Sequence, residues 1–109
     1  MISQIGRGLT LKRQPRHAEL GEYDWFDIES GNVQVGKSRC RIEGDKLTVF
    51  SIMIYPEYEH NGYATAVMDF FKSRYPILYA DRVRFTAREF WTKQGFVEES
   101  EALYVWHRQ

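Results

Sequence analysis

Midway along the chain the hydrophobic period changes, and one proline and one glycine mark the break. Leu47-Thr48-Val49-Phe50-Ser51-Ile52-Met53-Ile54-Tyr55 is nearly continuous in apolar residues, as a strand covered on both faces requires. Pro56 ends it. Beyond Gly62, residues Tyr63, Ala66, Val67, Phe70 and Phe71 fall at i, i+3, i+4, i+7 and i+8, one face of a helix. Thr65, Asp69, Lys72 and Ser73 take the opposite face. Tyr75-Pro76 closes the helix, because proline cannot continue it and biases the residue before it away from helix. Ile77 to Ala80 then reads as a strand, extendable to Phe85. Strand, helix and strand in this order imply a right-handed crossover and one parallel pair.

The flanking segments fill out a sheet. Tyr23 to Ile28, the turn Glu29-Ser30-Gly31-Asn32, a strand from Val33 to Ile42 and the turn Glu43-Gly44-Asp45-Lys46 make an antiparallel meander with the central strand. After the crossover, Thr86 stands where it would cap a short helix from Ala87 to Gln94, and Gly95 stands where that helix would stop. Phe96-Val97 and Ala102 to His107 finish as strands. Residues 1–20 read as a polar arm, opening with a short strand, and the basic cluster Lys12, Arg13, Arg16 and His17 reads as a solvated segment, with a phosphate-binding patch as the alternative. The expected fold class is α/β in the α+β sense: a mixed, mostly antiparallel twisted sheet of about five or six strands with two main helices. Residues 1–109 form a single domain with its core over 23–107.

Composition narrows the function. A chain of 109 residues is one small domain, able to bury only about 60–68% of the surface its unfolded form exposes, so any site must be built on the fold itself. Fifteen Lys+Arg balance fifteen Asp+Glu, which argues against dedicated nucleic-acid binding. Cys40 is the single cysteine, so neither an intrachain disulfide nor a cysteine zinc site can form. The histidines, His17, His60 and His107, are too scattered for metal spacing, and no metal is expected. The apolar runs are too short for a membrane span, Met1 to Arg16 does not read as a signal peptide, and a reduced cytoplasmic compartment is expected. In so aromatic a chain, Trp25, Tyr58 and Trp106 are expected in the core, the alternative being an exposed surface for a protein partner.

Chemistry is expected at two segments. Glu59-His60-Asn61-Gly62-Tyr63-Ala64 is a tight loop entering a helix, whose first N–H groups lack helical partners and suit a phosphate or pyrophosphate. Gly62 permits positive φ and close approach, and Ala64 is small; the plain alternative is a strand–helix turn with a glycine corner. The second segment is Ala87-Arg88-Glu89-Phe90-Trp91-Thr92-Lys93-Gln94-Gly95-Phe96, whose plain reading is the core face of a short helix.

In this order and separation, the two segments resemble the GNAT superfamily of acyl-coenzyme A-dependent N-acetyltransferases. That family's acyl-CoA loop has Gln or Arg, two residues, Gly, one residue, then Gly or Ala, and here Glu59 to Ala64 stands in the frame. Its later helix commonly reads Ala, three residues, Tyr, one residue, Lys, one residue, Gly-Phe, and here the frame holds Ala87, Trp91, Lys93 and Gly95-Phe96. The resemblance spans roughly residues 23–107. It implies acetyl-CoA as co-substrate, lying where the central strand splays from its parallel neighbour. Ile52, Met53 and Ile54 would pair with the pantetheine arm. Glu59, His60, Asn61, Gly62, Tyr63, Ala64 and Thr65 would form the phosphate loop. An amine would attack the thioester, with an amide stabilising the oxyanion.

Three positions depart from the family pattern. Glu59 stands where Gln or Arg is usual, Trp91 where a tyrosine often protonates the departing thiolate, and Arg84 where Asn is frequent. Candidates for proton transfer are Glu57 and Tyr104, with Glu59, His60 and Tyr79 behind them; for each the alternative is a solvated loop residue or a packed tyrosine. Larger relatives wall the acceptor pocket with two helices before the meander. The short polar arm here implies an open acceptor site, hence a protein or peptide amine, or a homodimer partner supplying the wall. Two functions remain open: an N-acetyltransferase, and a catalytically silent GNAT-fold module that binds acyl-CoA or a protein partner.

Overall fold

The computed structural model describes residues 2–14 and 23–109. The strands are β1 (Ile2–Gln4), β2 (Leu9–Gln14), β3 (Asp24–Ser30), β4 (Val33–Glu43), β5 (Lys46–Ile54), β6 (Ile77–Ala80), β7 (Val97–Ser100) and β8 (Leu103–His107). The helices are α1 (Tyr63–Arg74) and α2 (Arg88–Lys93), with short 3-10 turns at Pro56–Tyr58 and Phe85–Ala87. Among the described residues the strands make one eight-stranded sheet, ordered β1-β2-β3-β4-β5-β6-β8-β7. Every neighbouring pair is antiparallel except β5 and β6, which run parallel from Lys46 opposite Ile77 to Val49 opposite Ala80. The expected mixed, mostly antiparallel sheet with two helices is what forms, with more strands than the five or six expected.

The extra strands come from the amino-terminal segment. Residues 2–14 are a hairpin at the sheet edge, not a polar arm. The signal lay in Leu9-Thr10-Leu11, whose period-two alternation puts both leucines in the core at 1% and 2% exposure. Of the basic cluster there, Arg13 pairs with Asp24, while Arg16 and His17 lie outside the described residues, as does Pro15.

Helix α1 covers one face of the sheet. Its Ala66, Val67, Met68 and Phe71 are buried, and Phe71 meets Phe26 of β3 edge-on at 6.0 Å. Fully burying a ring of this size contributes on the order of 2–3 kcal/mol. Met68, which the helical period did not single out, is wholly buried among them. The helix ends where Tyr75 turns extended, ahead of Pro76. Arg108 then ties its C-terminal end, donating a guanidinium hydrogen bond to the Lys72 carbonyl at 2.9 Å.

Other local expectations change in detail. β6 stops at Ala80 rather than running to Phe85, because Arg82 takes a left-handed φ of 57° with its N–H donated to the Asp81 carboxylate. The second helix is a 3-10 turn leading into α2, and the Thr86 side chain makes no capping bond. Cys40 faces the core, where burial pushes its thiol up to about 12; the Ser38 hydroxyl opposes this and the Asp24 charge adds to it. Trp25 is not a core residue. It is 38% exposed on the sheet's other face, with the Lys37 ammonium 5.0 Å and the Arg39 guanidinium 5.5 Å from its ring. Tyr58 and Trp106 are half-buried against the core edge.

Candidate functional site

The parallel ladder ends early, and that opens the site. β5 pairs with β6 only as far as Val49 and Ala80, and Asp81 N–H adds one last bond to the Val49 carbonyl at 3.0 Å. β5 itself continues to Ile54. At the same point β5 carries a bulge: Cys40 pairs with Val49 and Arg39 with Ser51, so Phe50 has no residue opposite. A bulge bends a strand and increases its twist. Here it comes immediately after the last β6 pair, so β5 turns away from β6 and the backbone of 50–54 loses its strand partner on that side.

The resulting cleft has a volume of about 700 Å³, within the range of small-molecule sites. One wall is β5 from Val49 to Ile54. The segment after β6, Asp81 to Arg84, also lines it, as do Phe90 and Trp91 of α2. The loop into α1 closes one end with Glu59, His60, Gly62, Tyr63, Ala64 and Thr65.

That loop is shaped from its own sequence. Pro56 begins a 3-10 turn in which Tyr58 N–H bonds the Tyr55 carbonyl at 2.8 Å. The Asn61 side-chain amide donates to the Tyr58 carbonyl at 3.0 Å and tacks the loop down. His60 adopts φ 67° and Gly62 φ 76°, both left-handed, and the chain then enters the helix at Tyr63. Gly62 has no side chain to cap the helix, and the first bond of the helix is Ala66 N–H to the Gly62 carbonyl at 3.0 Å. The amides ahead of Ala66 therefore have no helical acceptor, and they carry the positive end of the helix dipole.

All but one of the residues expected to bind a cofactor line this cleft: Ile52, Met53, Ile54, Glu59, His60, Gly62, Tyr63, Ala64 and Thr65. Asn61 turns inward on the loop. Trp91 and Arg84, two of the departures from the family pattern, also line it. Trp91 is 5% exposed and packed edge-on between Phe90 and Phe96 at 5.0 and 4.9 Å. Of the proton-transfer candidates, Glu59 and His60 line the cleft, while Glu57, Tyr79 and Tyr104 sit elsewhere. Glu57 is exposed on the 3-10 turn, and the buried Tyr104 hydroxyl accepts a bond from Arg88 Nε at 2.9 Å, neither among the cleft-lining residues. That bond, with the charges of Tyr104 and Glu98, raises the Arg88 guanidinium above its ordinary range.

Sequence reasoning missed Arg39, Phe50, Ser51 and Arg82. Arg39 reaches the cleft from β4, where it donates to Tyr23 OH at 3.0 Å and lies 4.7 Å from that ring. Its register opposite Ser51 depends on the bulge, which leaves no mark in a strand that is apolar throughout.

The arrangement can accept an extended ligand alongside β5, as an added strand, with an anionic group at the start of α1. Comparison with known proteins agrees on the class. No family model matches the chain. It is 33% identical over 72 residues to an uncharacterised N-acetyltransferase of Bacillus velezensis, covering 58% of this chain and 44% of that protein. It is 34% identical over 83 residues to one of Bacillus licheniformis, covering 66% of this chain and 51% of that protein. The chain thus spans about half the length of the curated relatives it matches. The structure superposes on the Bacillus subtilis N-acetyltransferase YlbP, solved in complex with coenzyme A, with a TM-score of 0.63 at 22% identity, over 76% of this chain and 66% of that one. The fold is that of the GNAT acetyltransferases, and in sequence the chain is similar to proteins named as N-acetyltransferases.

Proposed function

We propose that this chain is an N-acetyltransferase that takes an acetyl group from acetyl-CoA and delivers it to an amine on a protein or peptide. The observation that carries this is the early end of the β5–β6 ladder beside the left-handed loop into α1. It places unpaired strand backbone and unpaired helix amides in one cleft of about 700 Å³. Such a cleft matches a ligand with a peptide-like arm at one end and phosphates at the other.

Each wall has its task. The free edge of β5 at Ile52, Met53 and Ile54 holds an extended amide-bearing arm by main-chain bonds. The amides of Gly62, Tyr63, Ala64 and Thr65 bind phosphate oxygens. Phe90 and Trp91 exclude water from the strand-side end of the cleft. The bound co-substrate supplies an activated acetyl thioester. On this reading a β5 amide donates to the carbonyl oxygen as negative charge develops there. The acceptor amine must arrive neutral, and no side chain is assigned its proton: Glu57 and Tyr104 do not line the cleft, and Glu59 and His60 belong to the loop proposed to take the phosphates. On its other face the sheet presents Trp25, Lys37 and Arg39 next to the cleft, a surface suited to a large acceptor.

Calorimetry with CoA and acetyl-CoA, joined to amide shifts, tests the reading. Saturable micromolar binding, about 8 kcal/mol, with shifts centred on 50–54 and 62–65, is expected. Thiol release with amine-bearing peptides should then follow. No binding at millimolar ligand refutes it. The buried Trp91 ring in the cleft wall, in place of a phenol, favours a second reading: a module that binds acyl-CoA without turnover. Tight binding with no thiol release across an acceptor screen would select it.

A further inference from the structure

The phosphate end of the cleft has a charge problem. Between Tyr55 and Phe71 the chain holds no lysine or arginine, yet it holds Glu57, Glu59 and Asp69. Glu59 lines the cleft itself, where a carboxylate repels phosphate. Amide dipoles alone would have to offset both Glu59 and the ligand's own charge.

A cation reaches this corner from the far edge of the sheet. The β1–β2 turn, Gly6-Arg7-Gly8, is closed by Leu9 N–H to the Gly6 carbonyl at 3.2 Å and Ile5 N–H to the Leu9 carbonyl at 3.0 Å. Arg7 takes φ 64° there, a conformation uncommon for a residue with a side chain. Its guanidinium lies over the entry to α1: a Cβ on Gly62 would stand 3.3 Å from both Arg7 Nε and Nη2. Gly62 therefore leaves room for the guanidinium as well as supplying the left-handed φ. Arg7 makes no hydrogen bond or ion pair with the described residues; with Asp69 it lines a second groove that adjoins the cleft at Gly62 and Thr65, which line both. Arg82 and Arg84 also line the cleft, from the segment after β6 rather than from the loop.

We propose that Arg7 is the phosphate-anchoring cation of this site, binding the pyrophosphate of CoA from a separate strand pair and replacing the positive charge that the loop lacks at Glu59. The proposal rests on the acyl-CoA reading above. A guanidinium suits the task because it forks onto phosphate oxygens with several donors.

Calorimetry on the native protein, Arg7→Ala, Arg7→Lys and Ala64→Glu, each with CoA, dephospho-CoA and pantetheine, tests it. Ala64→Glu puts an acid in the first helical turn, which the dipole tolerates, so that variant keeps its fold while it repels phosphate. Arg7→Ala is expected to weaken CoA and dephospho-CoA alike, by about ten- to a hundredfold, and to leave pantetheine unchanged. Arg7→Lys should recover part of the loss. Unchanged CoA affinity in Arg7→Ala, with the loss seen only in Ala64→Glu, overturns the role of Arg7 and leaves the site standing. A loss for CoA but not dephospho-CoA overturns the pyrophosphate assignment in favour of the 3′-phosphate. An equal loss for pantetheine overturns it as a fold defect. No CoA binding by the native protein overturns both this proposal and the reading beneath it.

Discussion

Gly36→Ala tests whether the cleft depends on how closely β4 and β5 approach. Gly36 lies opposite Ile54, and a Cβ there would overlap the Met53 carbonyl oxygen and stand 3.1 Å from Ile54 Cα. Both obstacles are backbone, so no side-chain rotation relieves them, and the strands must part by about 1 Å in a close-packed interior. The adjacent bond across the pair would stretch with them: Tyr55 N–H to the Val35 carbonyl at 2.8 Å. Overpacking costs about 1–3 kcal/mol and a weakened backbone bond roughly 1 more. Alanine returns only about 0.4–1 kcal/mol by restricting the unfolded chain. The net is a destabilisation of about 2–3 kcal/mol, or on the order of 8–20 °C in Tm for a domain of this size. The same shift displaces Met53 and Ile54, which form the cleft wall, so CoA affinity should fall as well. Thermal unfolding by circular dichroism reads the first effect and calorimetry the second. A Tm within about 2 °C of the native value would refute the packing argument.

Further outcomes follow from single contacts. Glu59→Gln should tighten CoA binding about two- to fivefold, less than a buried charge would give because the side chain is exposed; weaker binding would mean the carboxylate has a positive task. The Cys40 thiol is held up to about 12 against an ordinary 9.0, so only the unfolded chain ionises between those values. Its contribution is whole below pH 9 and falls as pH rises toward 12, by about 1.4 kcal/mol per unit, and Cys40→Ala should flatten that slope in denaturant titrations. Tyr104→Phe should cost about 1 kcal/mol through the lost bond from Arg88 and leave turnover unchanged; a large fall in turnover at constant CoA affinity would assign it the proton transfer.

The crossover was legible because its signals are local and redundant. The apolar run to Tyr55, the proline, the glycine and the helical stripe from Tyr63 to Phe71 all require the same strand–loop–helix, and each has its place in the structure. The residues expected to bind a cofactor come together in one cleft for the same reason, except Asn61, whose side chain bonds within the loop. The hairpin at residues 2–14 was harder to see. Its strands are short, and only Leu9 and Leu11 are deeply buried, too few alternations to outweigh the polar residues around them. Trp25 misled for a different reason: an indole can lie under the Lys37 and Arg39 cations at a surface as well as in a core, and its own sequence neighbourhood does not distinguish the two.

The least legible feature is the one on which the site depends most. β5 reads as an unbroken buried strand, and nothing in its sequence says that Phe50 is unpaired or that β6 leaves it after Val49. The ladder stops because β6 is short, and β6 is short because Arg82 turns left-handed against Asp81. The cleft is thus set by residues in β4, β5 and the turn after β6, none of which carries a motif. Arg7, far away in sequence, overlies the loop at Gly62 from outside the cleft lining. Motif residues on α1's loop mark where a ligand would rest, but the space for it is made by where neighbouring strands stop pairing.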